Sequence, residues 1–241
     1  MAEDTGKTAL VVSAHSADFV WRSGGAIALY AKRGYKVIIV CLSYGERGES
    51  AKLWKQDGYT LERVKAERRK EAEAAASVLG GEPVFFDIGD YPLRPTDDHL
   101  FRLVDIYRQY HPEFVLTHSK DDPYNFDHPV ATHFAQEARI IAQAWGHKPG
   151  EKVLGAPGVF LFEPHQPEQC GWKPDVILNI SEVWDIKRKA IEVMAGQEHL
   201  WEYYTRVALQ RGAQGGRNAG VPMTHGEGYQ RIFPLVTDHL Q

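Results

Sequence analysis

At 241 residues, 43% hydrophobic and 25% charged, with no low-complexity or like-charge block, the chain reads as one ordinary globular domain over residues 1–241, which excludes the disordered and fibrous classes. Its 28 Lys and Arg against 32 Asp and Glu leave a formal charge of −4 and no basic stripe, so nucleic acid is not an expected partner, whereas a small anionic ligand met by local arginines is. No uncharged apolar run approaches the ~18 residues of a membrane helix and residues 1–8 lack a signal-peptide core, so a cytoplasmic protein without membrane contact is expected.

Residues 8–14 and 35–42 are apolar, β-rich runs, and 24–33 between them reads as a helix stopped at Gly34. Continuous apolar strands joined by a helix imply parallel pairing with burial on both faces. Cys41 lies inside the second run and Cys170 is the only other cysteine, which supports neither a disulfide framework nor a Cys-based zinc module. The pattern predicts a long helix over 60–79 ended by Gly80-Gly81, a strand over 83–88, a helix over 100–110, a strand over 113–117 and a helix over 129–145 with Pro129 in its first turn. Strands over 158–162 and 176–180 follow, then one helix or two over 181–210 with Gly196 as a break. Residues 212–220 carry turn chemistry, and the last twenty suggest no element. The expected fold class is α/β: a single domain with a mostly parallel, Rossmann-like sheet flanked by helices, and ligands at the carboxyl ends of the strands.

Those ends are polar. Ala14-His-Ser-Ala-Asp18 puts an imidazole and a carboxylate three residues apart on a turn, and the long loop 119–128 delivers His128 to the start of a helix. His15, Asp18 and His128 form an N,N,O set of the kind that holds a catalytic Zn²⁺, Fe²⁺ or Co²⁺ with positions left open. From spacing alone, a His ending a buried strand is more often a hydrogen-bonded structural residue. His133 falls off the His128 face, and His99, His111, His147 and His239 have no evident partner, so they read as structural or solvated. Neither a dinucleotide fingerprint, nor a Walker A pattern, nor a G-x-S-x-G elbow is present.

Ala14-His-Ser-Ala-Asp18 with Gly24-Gly25, then Ser43-Tyr-Gly-Glu-Arg-Gly48, then Asp127-His128 resemble, in order and spacing, the PIG-L/LmbE-like family of zinc-dependent N-acetylglucosaminyl deacetylases. The resemblance implies a Rossmann-like fold and metal ligands at His15, Asp18 and His128, with Zn²⁺ the expected ion. It also carries departures. Family members have A-H-P-D-D-E and H-P-D-H at these loops. Here Ala17 stands where the first Asp acts as base, Phe19 replaces the glutamate, and Asn125 replaces the first His of the second motif. Loss of a positioned base typically costs about 10²- to 10⁴-fold, which argues against amide hydrolysis by the usual route.

Residues 13–21, 45–54, 86–94, 163–168 and 194–206 further resemble a hydratase branch of the family that adds water across the C=C of an unsaturated oxo-tricarboxylate. That resemblance implies a small tricarboxylate as partner, Glu49 as the base activating water, and His165 as acid or substrate-orienting group. Glu46 would orient its loop. A solvated carboxylate at Glu49 and a turn residue at His165 are the plainer alternatives. Arg47 is expected to clamp a substrate carboxylate, with Tyr124, Asn125 and Arg211 as further contacts. Arg217 reads as solvated, and Trp201, Tyr203 and Tyr204 as helix packing. A homo-oligomer is expected. A deacetylase using Glu46 or Glu49 as replacement base is the alternative activity, and a binding protein on a degenerate deacetylase fold the non-catalytic one.

Overall fold

The computed structural model describes residues 5–238, so the expectation for His239 lies outside the described residues. In chain order the elements are β1 (Thr8–Ser13), α1 (Asp18–Lys32), β2 (Lys36–Cys41), the single turn α2 (Ala51–Trp54), α3 (Leu61–Leu79), β3 (Glu82–Phe85), α4 (Asp97–Tyr110), β4 (Phe114–Thr117), α5 (Asp127–Gln143), β5 (Gly158–Phe162), β6 (Val176–Asn179), α6 (Trp184–Val193), α7 (Trp201–Ala219) and β7 (Gly226–Arg231). The sheet order is β3-β2-β1-β4-β5-β7-β6. Among the described residues only β7 runs against its neighbours, pairing antiparallel with both β5 and β6.

Strand alternation sorts the core into two layers. Ala9, Val11, Val37 and Ile39 face one side with Phe19, Ala72, Ala76 and Ile191 of α1, α3 and α6. Leu10, Val12, Ile38 and Val40 face the other with Leu103, Val104, Phe134 and Ala138 of α4 and α5. Burial on both faces is what made β1 and β2 legible as unbroken apolar runs. In register, Leu10 lies opposite Ile38 of β2 and Val115 of β4. The chain leaves β1 toward β2 and β3 on one side and later returns to β4 and β5 on the other. The loops after β1 and β4 therefore diverge and open a crevice at the carboxyl ends.

Three sequence expectations change. Helix α1 begins at Asp18 rather than residue 24, because Gly24-Gly25 is a packing feature inside the helix: a Cβ at Gly25 would lie 2.7 Å from Ile180 and 2.8 Å from Glu227 Oε1. Residues 212–219 continue α7, and Gly220 ends it with left-handed φ of 66°. Those glycines are there for close approach; a Cβ at Gly212 would meet the Thr224 carbonyl oxygen at 2.1 Å. Residues 226–231, unassigned from sequence, form the strand between β5 and β6. The break near Gly196 stands as a 3-10 turn between α6 and α7. His99 completes the capping box of α4 with Thr96, and His111 ends that helix in a left-handed conformation. His147 stacks on Phe101, and His133 is largely exposed.

Candidate active site

The crevice collects four side chains from three loops. His15 follows β1, Asp18 opens α1, Glu49 follows β2, and His128 lies in the first turn of α5. One ligand atom from each of the four lies within 4.8 Å of all the others, a cluster able to hold one metal ion. The turn after β1 folds tightly because Asp18 Oδ2 accepts the backbone N–H of His15 at 2.9 Å. The same oxygen is 3.1 Å from His15 Nδ1, and Glu49 Oε1 is 3.2 Å from that nitrogen. His128 Nε2 is 3.5 Å from Asp18 Oδ1.

Behind each imidazole sits a second carboxylate. His15 Nε2 is 3.2 Å from Asp127 Oδ2, and His128 Nδ1 is 2.7 Å from Asp122 Oδ2. Protons assigned to those outer nitrogens leave His15 Nδ1 and His128 Nε2 as lone pairs aimed at the cluster, the arrangement of carboxylate–histidine–metal triads. His128 Nε2 is buried with no hydrogen-bond partner, and His15 Nδ1 faces carboxylate oxygens. Lone pairs gathered against carboxylates repel unless a cation lies between them. The residues present therefore fit a divalent metal.

Electrostatics agree. Burial alone would lower the His15 pKa, but the carboxylates of Glu49, Asp127 and Asp18 raise it well above the usual imidazole value. The cluster demands positive charge. Burial opposes ionisation of Asp127 as well, yet donation from His15 and from the Leu93 and Tyr91 backbone N–H groups pulls its carboxyl down to about 2. His118, at the end of β4, stacks on His128 at 4.1 Å between ring centroids. Its Nε2 accepts the Ala14 N–H at 2.9 Å, and burial together with the neighbouring His128 holds its pKa well below the ordinary value, so it is neutral.

The cluster opens into a cavity of about 610 Å³ lined by Glu49, Tyr91, Tyr124, Asn125, His165 and Tyr204 among others. His165 reaches it from the loop after β5; its ring stacks on Tyr203, and burial followed by the Arg22 charge lowers its pKa. Asn125 Oδ1 accepts the Asp127 N–H, which orients the amide so that Nδ2 donates to Glu49 Oε1 at 3.2 Å. Tyr124 is half exposed at the mouth. Tyr204, expected only to pack, also stacks on Trp21 and lines the cavity. Glu46 turns into its own loop, accepting the Tyr44 N–H, and stays off the cavity wall.

Two expected substrate contacts are not brought here. The Arg47 Nη1 donates to the Asp90 carbonyl oxygen, while the Asp90 carboxylate takes the N–H groups of Arg47 and Gly48, so Arg47 ties two loops together. Arg211 is held by Glu163, with Nε 2.7 Å from Oε2, and by Gln214. A backbone carbonyl holds the Arg47 guanidinium and a carboxylate holds that of Arg211. Conversely, sequence reading missed Asp122, Asp127, His118, Arg22 and Tyr91 as parts of the site. Asp127 had a signal, the acid preceding His128 in the family motif. Arg22 had one too: it lies four residues after Asp18, one helical turn on, once α1 starts at residue 18.

Residues 10–139 match the PIG-L family, GlcNAc-PI de-N-acetylase. The chain is 65% identical to a 4-oxalmesaconate hydratase of Pseudomonas putida KT2440, over 97% of this chain and 92% of that relative. The crystal structure of GalB, the 4-carboxy-2-hydroxymuconate hydratase from the same strain, matches with a TM-score of 0.96 and 64% identity, covering 98% of this chain and 100% of that one. N,N'-diacetylchitobiose deacetylase from Pyrococcus horikoshii shares the fold at a TM-score of 0.78 and 24% identity, over 94% and 84% of the two chains. With a hydro-lyase matched along nearly its whole length and a family match over more than half of it, this chain is an enzyme belonging to the PIG-L family.

Proposed function

We propose that the chain is a metal-dependent hydratase that adds water across the C=C of 4-oxalomesaconate, or of its enol 4-carboxy-2-hydroxymuconate, giving 4-carboxy-4-hydroxy-2-oxoadipate in gallate or protocatechuate catabolism. One observation carries the reading. Ala17 and Phe19, at the positions where deacetylases carry acids, are fully buried in the apolar core, whereas Glu49 brings a carboxylate from a different loop into the donor cluster. The base of amide hydrolysis is gone and another carboxylate faces the cavity.

His15, Asp18 and His128 would hold the ion, with Zn²⁺ the proposed occupant and Fe²⁺ or Co²⁺ accepted by the same donors. A bound divalent cation supplies Lewis-acid polarisation of the substrate oxygens. Glu49, steadied by the Asn125 amide, takes a proton from water as the water oxygen bonds to the carbon that becomes the tertiary alcohol. His165, across the cavity, gives a proton to the neighbouring carbon. Proton exchange with solvent resets both groups. Tyr124 at the mouth supplies a further contact to the substrate.

Incubation with 4-oxalomesaconate, followed by loss of its ultraviolet absorbance, tests the proposal alongside free-amine assay on N-acetylglucosamine conjugates. Absorbance loss without amine release is the expected result. Amine release without absorbance loss would instead make the chain a deacetylase with a relocated base.

A further inference from the structure

We propose that Arg22 is the residue by which this site selects a tricarboxylate, gripping one substrate carboxylate side-on; the inference rests on the hydratase reading above. Arg22 lies one turn after Asp18 on α1, and its side chain is 5% exposed on the cavity wall. Its Nη1 is anchored by the Glu163 carbonyl oxygen at 2.7 Å. The opposite edge makes two long ion pairs, and its Nε makes no hydrogen bond. Nε is buried without a hydrogen-bond partner, 3.5 Å from Asp18 Oδ1, and Nη2 is 3.8 Å from Asp122 Oδ2.

Those two carboxylates have shorter partners of their own. Asp18 Oδ2 takes the His15 N–H, while Asp122 takes His128 Nδ1 and the Tyr124 N–H. Nε and Nη2 form the edge of a guanidinium that matches the two oxygens of a carboxylate, so that side has the geometry for a bidentate ion pair. Leaving the buried Nε donor without a hydrogen bond is costly, and a carboxylate bound across Nε and Nη2 removes that cost. No other arginine among the described residues lines this cavity; the remaining cations on its wall, Lys52 and Lys55, are exposed, and Lys52 is paired with Glu198.

The test is calorimetric titration of the metal-loaded protein with tricarballylate and with glutarate, metal content being measured before and after, while hydration of 4-oxalomesaconate is followed in parallel. The wild type should bind tricarballylate about 100-fold more tightly than glutarate, the span expected of charge-assisted hydrogen bonds. R22Q should keep its metal and its glutarate affinity while the preference falls to within about threefold, and the KM for hydration should rise far more than kcat falls. R22K keeps the positive charge beside Asp18 and Asp122 but not the planar edge, and it should recover only part of the preference. Undiminished preference in metal-loaded R22K, or in metal-loaded R22Q, would overturn the proposal and leave Arg22 as a counter-ion for Asp18 and Asp122. Absence of hydration by the wild type overturns the hydratase reading instead, because the binding preference is read without turnover.

Discussion

As a metal ligand, each imidazole of the cluster would be only as good as the carboxylate that holds its far nitrogen. Asp122 fixes the tautomer and ring of His128 at 2.7 Å, and Asp127 does the same for His15 while itself accepting two backbone N–H groups. Asp122→Asn should therefore weaken metal binding by about 10- to 100-fold with the fold intact, as read by competition with a chromophoric chelator. Glu49→Gln belongs to a different class. It should keep metal at full stoichiometry while kcat falls by about 10²- to 10⁴-fold, and near-normal turnover would remove Glu49 from the base role. His15, Asp18 and His128 were legible because each sits at a strand end or helix start within a short local pattern. Arg47 and Arg211 lie off the cavity, and nothing adjacent in sequence announces Asp90, whose backbone oxygen holds the Arg47 guanidinium, or Glu163, whose carboxylate holds that of Arg211.

Helix α1 carries two site residues, and its position is set from the other end of the chain. The Glu227 carboxylate accepts the N–H groups of Gly25 and Ala26 at 2.6 and 2.8 Å, and Lys187 Nζ bridges Glu227 Oε1 to the Trp21 carbonyl oxygen. All of these groups are buried. Removing one partner of such a pair strands the other, so Lys187→Met should cost about 3–5 kcal/mol in chemical denaturation. Gly25→Ala, forced against Ile180 and Glu227, should cost about 1–3 kcal/mol and lower metal affinity by displacing Asp18. A stability unchanged in both variants would dismiss this anchoring. The reason Gly24-Gly25 misled the sequence reading is the same: glycine inside a helix reads as a boundary, and only the packed neighbours explain it. The glycines of α7 repeat the lesson, since Gly212 and Gly215 admit the chain at residues 223–226 that leads into β7.

At the scale of the molecule, the site is a consequence of strand order. Placing β4 beside β1, on the side away from β2, separates the loops that carry His15 and His128 just enough to enclose an ion-sized gap between them. The α/β class and parallel strands were readable from periodicity; the insertion of β7 between β5 and β6 was not, because pairing across so long a separation leaves no local signature. An ion held by His15, Asp18 and His128 would join the loops after β1 and β4 and so add to the stability of the fold. At free metal about 1,000 times its dissociation constant the gain is ~4 kcal/mol, so chelation should lower the midpoint of thermal unfolding by roughly 10 °C. The most direct test of the central claim is to strip the protein and titrate metal back while following hydration of 4-oxalomesaconate. Turnover is predicted to be absent at the start, to rise linearly, and to stop at one equivalent per chain. Full hydration by the stripped protein, or no saturable binding by His15, Asp18 and His128, would contradict it.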